Sequence, residues 1–360
     1  MSLKPAPVLF TLLLALAGAG LCVFLGTPLP WMIGPLLASA VASVAGLPTA
    51  SWRPLGNTGQ WVIGTVLGLY FTPQVTAVVA SLWWAIALAI VWALGLGLAF
   101  GGWLYRVNAP RMAGVSAPAM RATSYFAGAI GGASEMTLLA ERAHARTDLV
   151  AASHSLRLLL VTVTIPFAMQ FSGLHGLDLN PPLLRAVHWP GLAGLALATG
   201  LGAWLMQRLG RANPWFMGAL LVAMGLTMGG IELSGIPRWL TNAAQLLIAV
   251  SLGTRFSKSF LHAASRWLVS VVLGTVGMIV LCGAFAGLLV WGTGLPLATL
   301  ILSTAPGGIA EMAITAKVLQ LGVPVVTAFQ VCRLVAVLVL VAPLYRWLYP
   351  ALPVAPETVD

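Results

Sequence analysis

The segment Gly131-Gly132-Ala133-Ser134-Glu135-Met136 returns as Gly307-Gly308-Ile309-Ala310-Glu311-Met312, and an arginine follows each glutamate at the same distance, Arg157 and Arg333. The repetition extends along the chain. Pro30-Trp31-Met32-Ile33-Gly34 matches Pro214-Trp215-Phe216-Met217-Gly218, and Asn57-Thr58-Gly59-Gln60 matches Asn242-Ala243-Ala244-Gln245. Leu67-Gly68-Leu69-Tyr70-Phe71 matches Leu252-Gly253-Thr254-Arg255-Phe256, and His154-Ser155-Leu156-Arg157-Leu158 matches Gln330-Val331-Cys332-Arg333-Leu334. The offset is 184 to 185 residues early and 176 late, so a short deletion separates the copies. A period this long is a duplicated domain, not a solenoid. The chain reads as a first membrane repeat over 1–175 and a second over 176–360.

Both copies of the glutamate motif lie inside long apolar stretches. Of 360 residues, 59% are hydrophobic and 7% charged, where a soluble domain carries about 25% charged residues. A surface so poor in charge is stable only against lipid, which defines an all-α polytopic membrane protein. The run from Val8 to Leu25 is longer than a signal-peptide core and has a counterpart opening the second half, so it reads as a retained transmembrane helix. Cys22, Cys282 and Cys332 fall in apolar spans with no CxxC or His/Cys spacing, and the five histidines form no spaced cluster, so neither a disulfide framework nor a metal site is indicated. The net charge of +10 is scattered over short loops. It marks membrane topology rather than a nucleic-acid partner.

Apolar segments are expected at 8–25, 31–47, 57–71, 76–104, 122–140 and 149–172, and again at 188–208, 214–231, 240–254, 265–291, 296–318 and 323–348. The stretches at 122–140 and 296–318 are interrupted by Gly-Gly. If each dips into the membrane and returns, an N-terminus inside puts Lys4, Arg53, Arg106, Arg111, Arg121, Arg142, Arg146, Arg208, Arg211, Arg255, Lys258, Arg266 and Arg346 in the cytoplasm. Arg185 and Arg238 then fall outside, with Lys317 at the margin. Full crossings would move Arg255, Lys258 and Arg266 outside, against the positive-inside rule. The expectation is therefore ten spans and two re-entrant hairpins, both termini cytoplasmic. Five spans per repeat is an odd number, which inverts the second repeat relative to the first, the design of secondary transporters with Gly-interrupted helices at the binding site.

Irregular backbone at membrane depth survives only inside protein or beside water. Gly131-Gly132 and Gly307-Gly308 would unwind the chain, letting new helices begin near Ser134 and Ala310 and exposing carbonyls and amides suited to ions or small anions. Glu135 and Glu311 then stand in the first turn of those helices. There each complements a helix dipole, for roughly 0.3–1 kcal/mol, or carries coupling protons or cations, since dehydration disfavours the charged carboxylate. Arg157 and Arg333 either pair with the glutamate of their own half as fixed ion pairs or capture an anionic substrate through the planar guanidinium. Gln60 and Gln245 sit at matched mid-span positions and line the site or bridge helices. Asn57 and Asn242 read as helix caps, and Pro30-Trp31 and Pro214-Trp215 as helix starts at the interface. Ser124, Ser134, Thr137, Ser303, Thr304 and Thr315 line the cavity or pack helices.

The doubled pattern of Pro-Trp-x-x-Gly followed by Gly-Gly-x-x-Glu-Met resembles the AbrB family of bacterial inner-membrane proteins over essentially the whole chain. Such proteins carry labels that include regulator of gene expression and ammonia monooxygenase. The resemblance does not extend to the small soluble DNA-binding regulator of the same name. A copper or iron monooxygenase needs clustered His or carboxylate ligands, and a direct transcriptional regulator needs a DNA-reading element; these residues supply neither. The function expected is secondary transport of a small anionic or zwitterionic metabolite, with H⁺ or Na⁺ as coupling ion, no resident cofactor and no enzymatic activity. A membrane-embedded regulator acting through a partner or a metabolite level is the alternative. The lipid bilayer and a small-molecule substrate are the expected partners. A homodimer is compatible with the sequence, though no GxxxG placement picks out an interface.

Overall fold

The computed structural model describes residues 5–112, 114–173, 186–256 and 265–350. Lys4, His175, Arg185, Lys258, His262 and the boundary between the sequence repeats lie outside the described residues. Among the described residues all regular structure is helical. The first half runs α1 (Pro5–Phe24), α2 (Pro30–Val44), α3 (Arg53–Gly68), α4 (Pro73–Ser81), α5 (Trp83–Asn108), α6 (Ala117–Gly128), α7 (Ala133–Arg142) and α8 (Thr147–Ser172). The second runs α9 (Trp189–Arg208), α10 (Pro214–Met228), α11 (Arg238–Gly253), α12 (Ser265–Thr293), α13 (Leu297–Thr304), α14 (Ile309–Val318) and α15 (Val323–Leu348).

Among the described residues six helices are long and apolar enough to cross a membrane (α1, α5, α8, α9, α12 and α15), or seven if α3 and α4, bent by 89° at their break, make one span. The sequence reading of ten spans exceeds this. The difference lies in length: α2 and α10 have 15 residues and α3 and α11 have 16. At 1.5 Å per residue such helices reach about 24 Å, short of a hydrocarbon core roughly 30 Å thick. The stretch at 76–104, read as one span, is divided at Leu82 into α4 and α5.

Proline starts several helices because its fixed φ and missing N–H suit the first turn. Pro30 and Pro214 open α2 and α10, each after a residue in the left-handed region, Leu29 at φ 48° and Asn213 at φ 45°. Asn57 and Asn242 do not cap. Pro54 at the start of α3 and Pro237 before α11 begin those helices earlier, so both asparagines lie within the helix. Caps are instead supplied by Thr72, which accepts from the Val75 N–H, and Ser116, which accepts from the Ala119 N–H.

Packing follows the sequence duplication position by position. α1 meets α2 backbone to backbone at Gly18 and Gly34, and α9 meets α10 likewise at Gly202 and Gly218. Gly68 on α3 lies against the Leu220 carbonyl of α10, and Gly253 on α11 against the Leu36 carbonyl of α2. Matched Gly59 and Ala244 meet where α3 crosses α11. Helices α2, α3, α10 and α11 share one buried core with residues of α8, α13, α14 and α15. A second core joins α5, α6 and α12 to α7 and α8.

A Cβ on Gly34 would collide with the Gly18 backbone, whereas one on Gly20 meets open space. Gly34→Ala is expected to lower stability by about 1–3 kcal/mol through overpacking. Gly20→Ala should instead raise it by up to about 1 kcal/mol through helix propensity. Melting temperatures in detergent that moved together would contradict this packing.

Candidate functional site

Two helices are broken at the duplicated motif. α6 ends at Gly128, the chain runs extended, and α7 starts at Ala133 with Gly132 as its cap; α13 ends at Thr304 and α14 starts at Ile309 with Gly308 as its cap. The cap glycines have φ −67° and −78°, a backbone any residue adopts. Their requirement is for space. A Cβ at Gly132 would strike the Glu135 carboxylate, and one at Gly308 would strike the Glu311 carboxylate. Each glutamate occupies the third helical position and folds back over the cap, as in a capping box.

The preceding glycines serve a different contact. A Cβ at Gly131 would meet Met136 Cε at 2.9 Å and Val337 Cγ1 at 3.1 Å; one at Gly307 would meet Val161 Cγ1 at 2.9 Å and Met312 Cε at 3.0 Å. Each break therefore rests on the methionine of its own motif and on a valine from the other half's long helix. The methionine's place in the motif follows from that packing.

The arginines pair with neither glutamate. Arg157, 3% exposed, donates through Nη2 to the Ala129 carbonyl at 3.0 Å and, at 3.5 Å through Nη1, to that of Ala127. Arg333, 6% exposed, donates from Nη1 to the Ala305 carbonyl at 2.6 Å and from Nη2 to the Gly307 carbonyl at 2.7 Å. The reading of Arg157 and Arg333 as ion-pair partners of Glu135 and Glu311 is thereby corrected. Among the described residues the ion pair is Arg146–Asp148, exposed at the start of α8. The physical reason is the orphaned carbonyls that any helix end leaves. A guanidinium's fixed fork satisfies two of them and adds a positive charge at the negative end of the dipole. Each break thus carries a cation on the carbonyl end of one half-helix and an anion on the amide end of the next.

A further matched pair was not singled out from the sequence. His154 Nε2 lies 2.9 Å from the Phe126 carbonyl and Gln330 Nε2 donates to the Leu302 carbonyl at 2.7 Å. Since a carbonyl only accepts, His154 carries its proton on Nε2, and its Nδ1 accepts from Arg157 Nη2 at 2.8 Å. The signal was present: both residues precede their arginine by three, which shares a helix face.

The two breaks differ in exposure. Glu135 is half-buried and Glu311 is 8% exposed; Leu138 is 49% exposed where matched Ile314 is 1%. α14 packs against α3 and α8 as well as α13 and α15, whereas α7 packs on α6 and α8. Ser134 is exposed beside the open glutamate. Gln60 and Gln245 adjoin the Gly59–Ala244 crossing, and no hydrogen bond joins them to the glutamates or arginines. Thr137, Ser303, Thr304 and Thr315 donate back to carbonyls of the preceding turn, while buried Ser124 Oγ has no partner among the described residues. Among the described residues no group of three or more His, Cys, Asp or Glu is placed to hold a metal.

Gly132→Ala and Gly308→Ala test the capping geometry. The atom in the way is the tip of a flexible side chain, so the carboxylate moves and the helices stay. Folding within about 1 kcal/mol of wild type is expected, with altered ligand response. A loss of folded protein would assign these glycines a backbone role instead.

These features define a class: helical proteins of the membrane-spanning type carrying two equivalent broken helices, each bracketed by an acid and a base. The chain belongs to the AbrB family, whose profile, described as "Transition state regulatory protein AbrB", matches residues 4–349. It is 27% identical to "Uncharacterized protein YhjN" of Bacillus subtilis (strain 168), across 95% of this chain and 93% of that one. It is 26% identical to "Putative regulator AbrB" of Escherichia coli (strain K12), across 88% and 89%. No solved structure matches it.

Proposed function

We propose that this protein is a secondary transporter of a small anionic or zwitterionic metabolite, coupled to H⁺ or Na⁺, built from two inverted repeats in a bacterial inner membrane. Both termini are cytoplasmic in this reading, the Gly-Gly segments are re-entrant, and no reaction is catalysed. The observation that carries it is the unequal state of two equivalent breaks. Glu311 is shut against the core while Glu135 is half open. A transporter that opens to one side at a time needs such a pair, and exchange of the two states moves the opening across the membrane. The position-by-position matching of glycine contacts between the halves supports the exchange, because each half offers the other the same seat.

The test is a thermal-shift screen of purified protein against metabolites and ions, run on wild type, Glu135→Gln and Glu311→Gln, followed by flux of each hit into proteoliposomes. Transport predicts a ligand that stabilises wild type, loses its effect in both folded variants, and moves in many copies per protein molecule. The regulator reading draws on the name of the Escherichia coli relative. It predicts binding without flux.

A further inference from the structure

The geometry points to the His154 imidazole as a proton-binding site whose occupation releases the break between α6 and α7. The inference goes beyond the transport reading, since a proton-dependent break would serve a sensor as well as a carrier. His154 is 1% exposed, and among the described residues its hydrogen-bond partners are the Phe126 carbonyl at 2.9 Å and Arg157 Nη2 at 2.8 Å. The carbonyl fixes the ring proton on Nε2, so the ring's lone pair is on Nδ1, and Arg157 already donates into it. A further proton, taken up from water by that lone pair, makes an imidazolium with N–H on both nitrogens. Two donors and two positive charges would then face each other over one hydrogen-bond length inside the protein.

Arg157 cannot withdraw from Nδ1 without disturbing the break. The same Nη2 holds the Ala129 carbonyl at 3.0 Å, and the remaining bond, from Nη1 to the Ala127 carbonyl, is 3.5 Å long. Ala129 begins the extended segment that joins α6 to α7. When Nδ1 takes a proton the guanidinium is driven off, and the carbonyls at the end of α6 lose their brace. A protonated His154 and a closed break therefore exclude each other. The break between α13 and α14 has no such group. Its matched residue is Gln330, an amide that does not titrate, and Arg333 holds two carbonyls at 2.6 and 2.7 Å.

The elements packed on α8 carry other titratable groups: Arg121 and Tyr125 on α6, Glu135, Glu141 and Arg142 on α7, Arg266 and Cys282 on α12, and Glu311 and Lys317 on α14, with none on α2. Among the described residues no hydrogen bond joins any of them to the ring. Tyr125 donates instead to the Val341 carbonyl, and Asp148, on α8 itself, pairs with Arg146. The ring is closed off in this conformation, so the proton arrives in an opened one, where an imidazole with access to water titrates at about pH 6.5. The closed break is favoured above that range and the open break below it, by at most about tenfold per pH unit for one proton.

The experiment is hydrogen–deuterium exchange of the full chain in detergent across that pH range, corrected for intrinsic exchange, with the two breaks read through peptides over 126–135 and 302–311. In wild type, protection of the first peptide should fall about 10-fold or more between about pH 8 and about pH 5, while the second changes less than about 2-fold. His154→Gln keeps a donor for the Phe126 carbonyl and an acceptor for Arg157, and places at this break the residue type that the other already carries. Its first peptide should stay protected throughout. Wild-type breaks that respond alike to pH, or not at all, overturn the assignment without any variant. A folded His154→Gln that keeps the wild-type pH response overturns it as well. So does one unprotected at every pH, which would make His154 a brace and not a proton site.

Discussion

Replacing Arg333 with alanine destabilises the protein by roughly 3–6 kcal/mol, the worth of two hydrogen bonds from a charged donor, and removing the Glu311 charge as well leaves that loss unchanged. The argument is local. Arg333, buried beside the main core, holds the Ala305 and Gly307 carbonyls at 2.6 and 2.7 Å. Gln330, one turn earlier, donates to the Leu302 carbonyl at 2.7 Å and to the Ala305 carbonyl at 3.3 Å but does not reach Gly307. Lysine offers a point charge in place of the fork and should restore only part of the loss. Chemical denaturation of Arg333→Ala, Glu311→Gln and the double variant makes a thermodynamic cycle. An interaction energy below about 0.5 kcal/mol marks independent residues. A larger one would restore the ion pair that the geometry denies. The same cycle on Arg157 and Glu135 should give the same answer with a smaller total, because Arg157 makes one short carbonyl bond and one at 3.5 Å and shares Nη2 with His154.

Neutralising either glutamate has the opposite profile: a fold that survives and a function that does not. Among the described residues Glu311 and Glu135 make no ion pair, and their carboxylates rest on helix amide ends. Glutamine keeps the shape and forfeits a charge–dipole contact of roughly 0.3–1 kcal/mol. In the transport reading it removes the group that exchanges a coupling ion, and the linkage between ion and solute goes with it. Ion–solute couplings of about 1–3 kcal/mol correspond to roughly 5–150-fold in affinity, so driven uptake by Glu135→Gln or Glu311→Gln should fall within that range. In that reading both variants fail, since the two breaks would take turns in one cycle. A variant that accumulates solute against a gradient as wild type does would remove its glutamate from the mechanism.

The site was legible in the sequence to the extent that its chemistry repeats. Gly-Gly-x-x-Glu-Met and the following arginine are written twice, and the helix starts at Pro30 and Pro214 stand where proline places them. The partners were not legible. An arginine near a glutamate in an apolar sequence reads as an ion pair, because carboxylates are visible in sequence and orphaned carbonyls are not. The cap glycines read as breakers, whereas Gly132 and Gly308 have ordinary backbone angles and leave room for a side chain three residues on. Asn57 and Asn242 looked like caps because local propensity ranks them first; Pro54 and Pro237 begin those helices sooner. The unequal exposure of Leu138 and Ile314 has no counterpart in sequence at all. Matched positions carry similar residues, and which break is shut is a property of the conformation.

That inequality also sets the most direct measurement: cysteine accessibility at Ser134 and Ala310, in right-side-out and inside-out vesicles, with Cys22, Cys282 and Cys332 replaced. If the breaks belong to inverted repeats that open in turn, Ser134→Cys reacts with a membrane-impermeant maleimide from one face only, and Ala310→Cys, more slowly, from the other face only. Labelling of both from the same face would contradict inversion, and with it the transport cycle built on these two breaks.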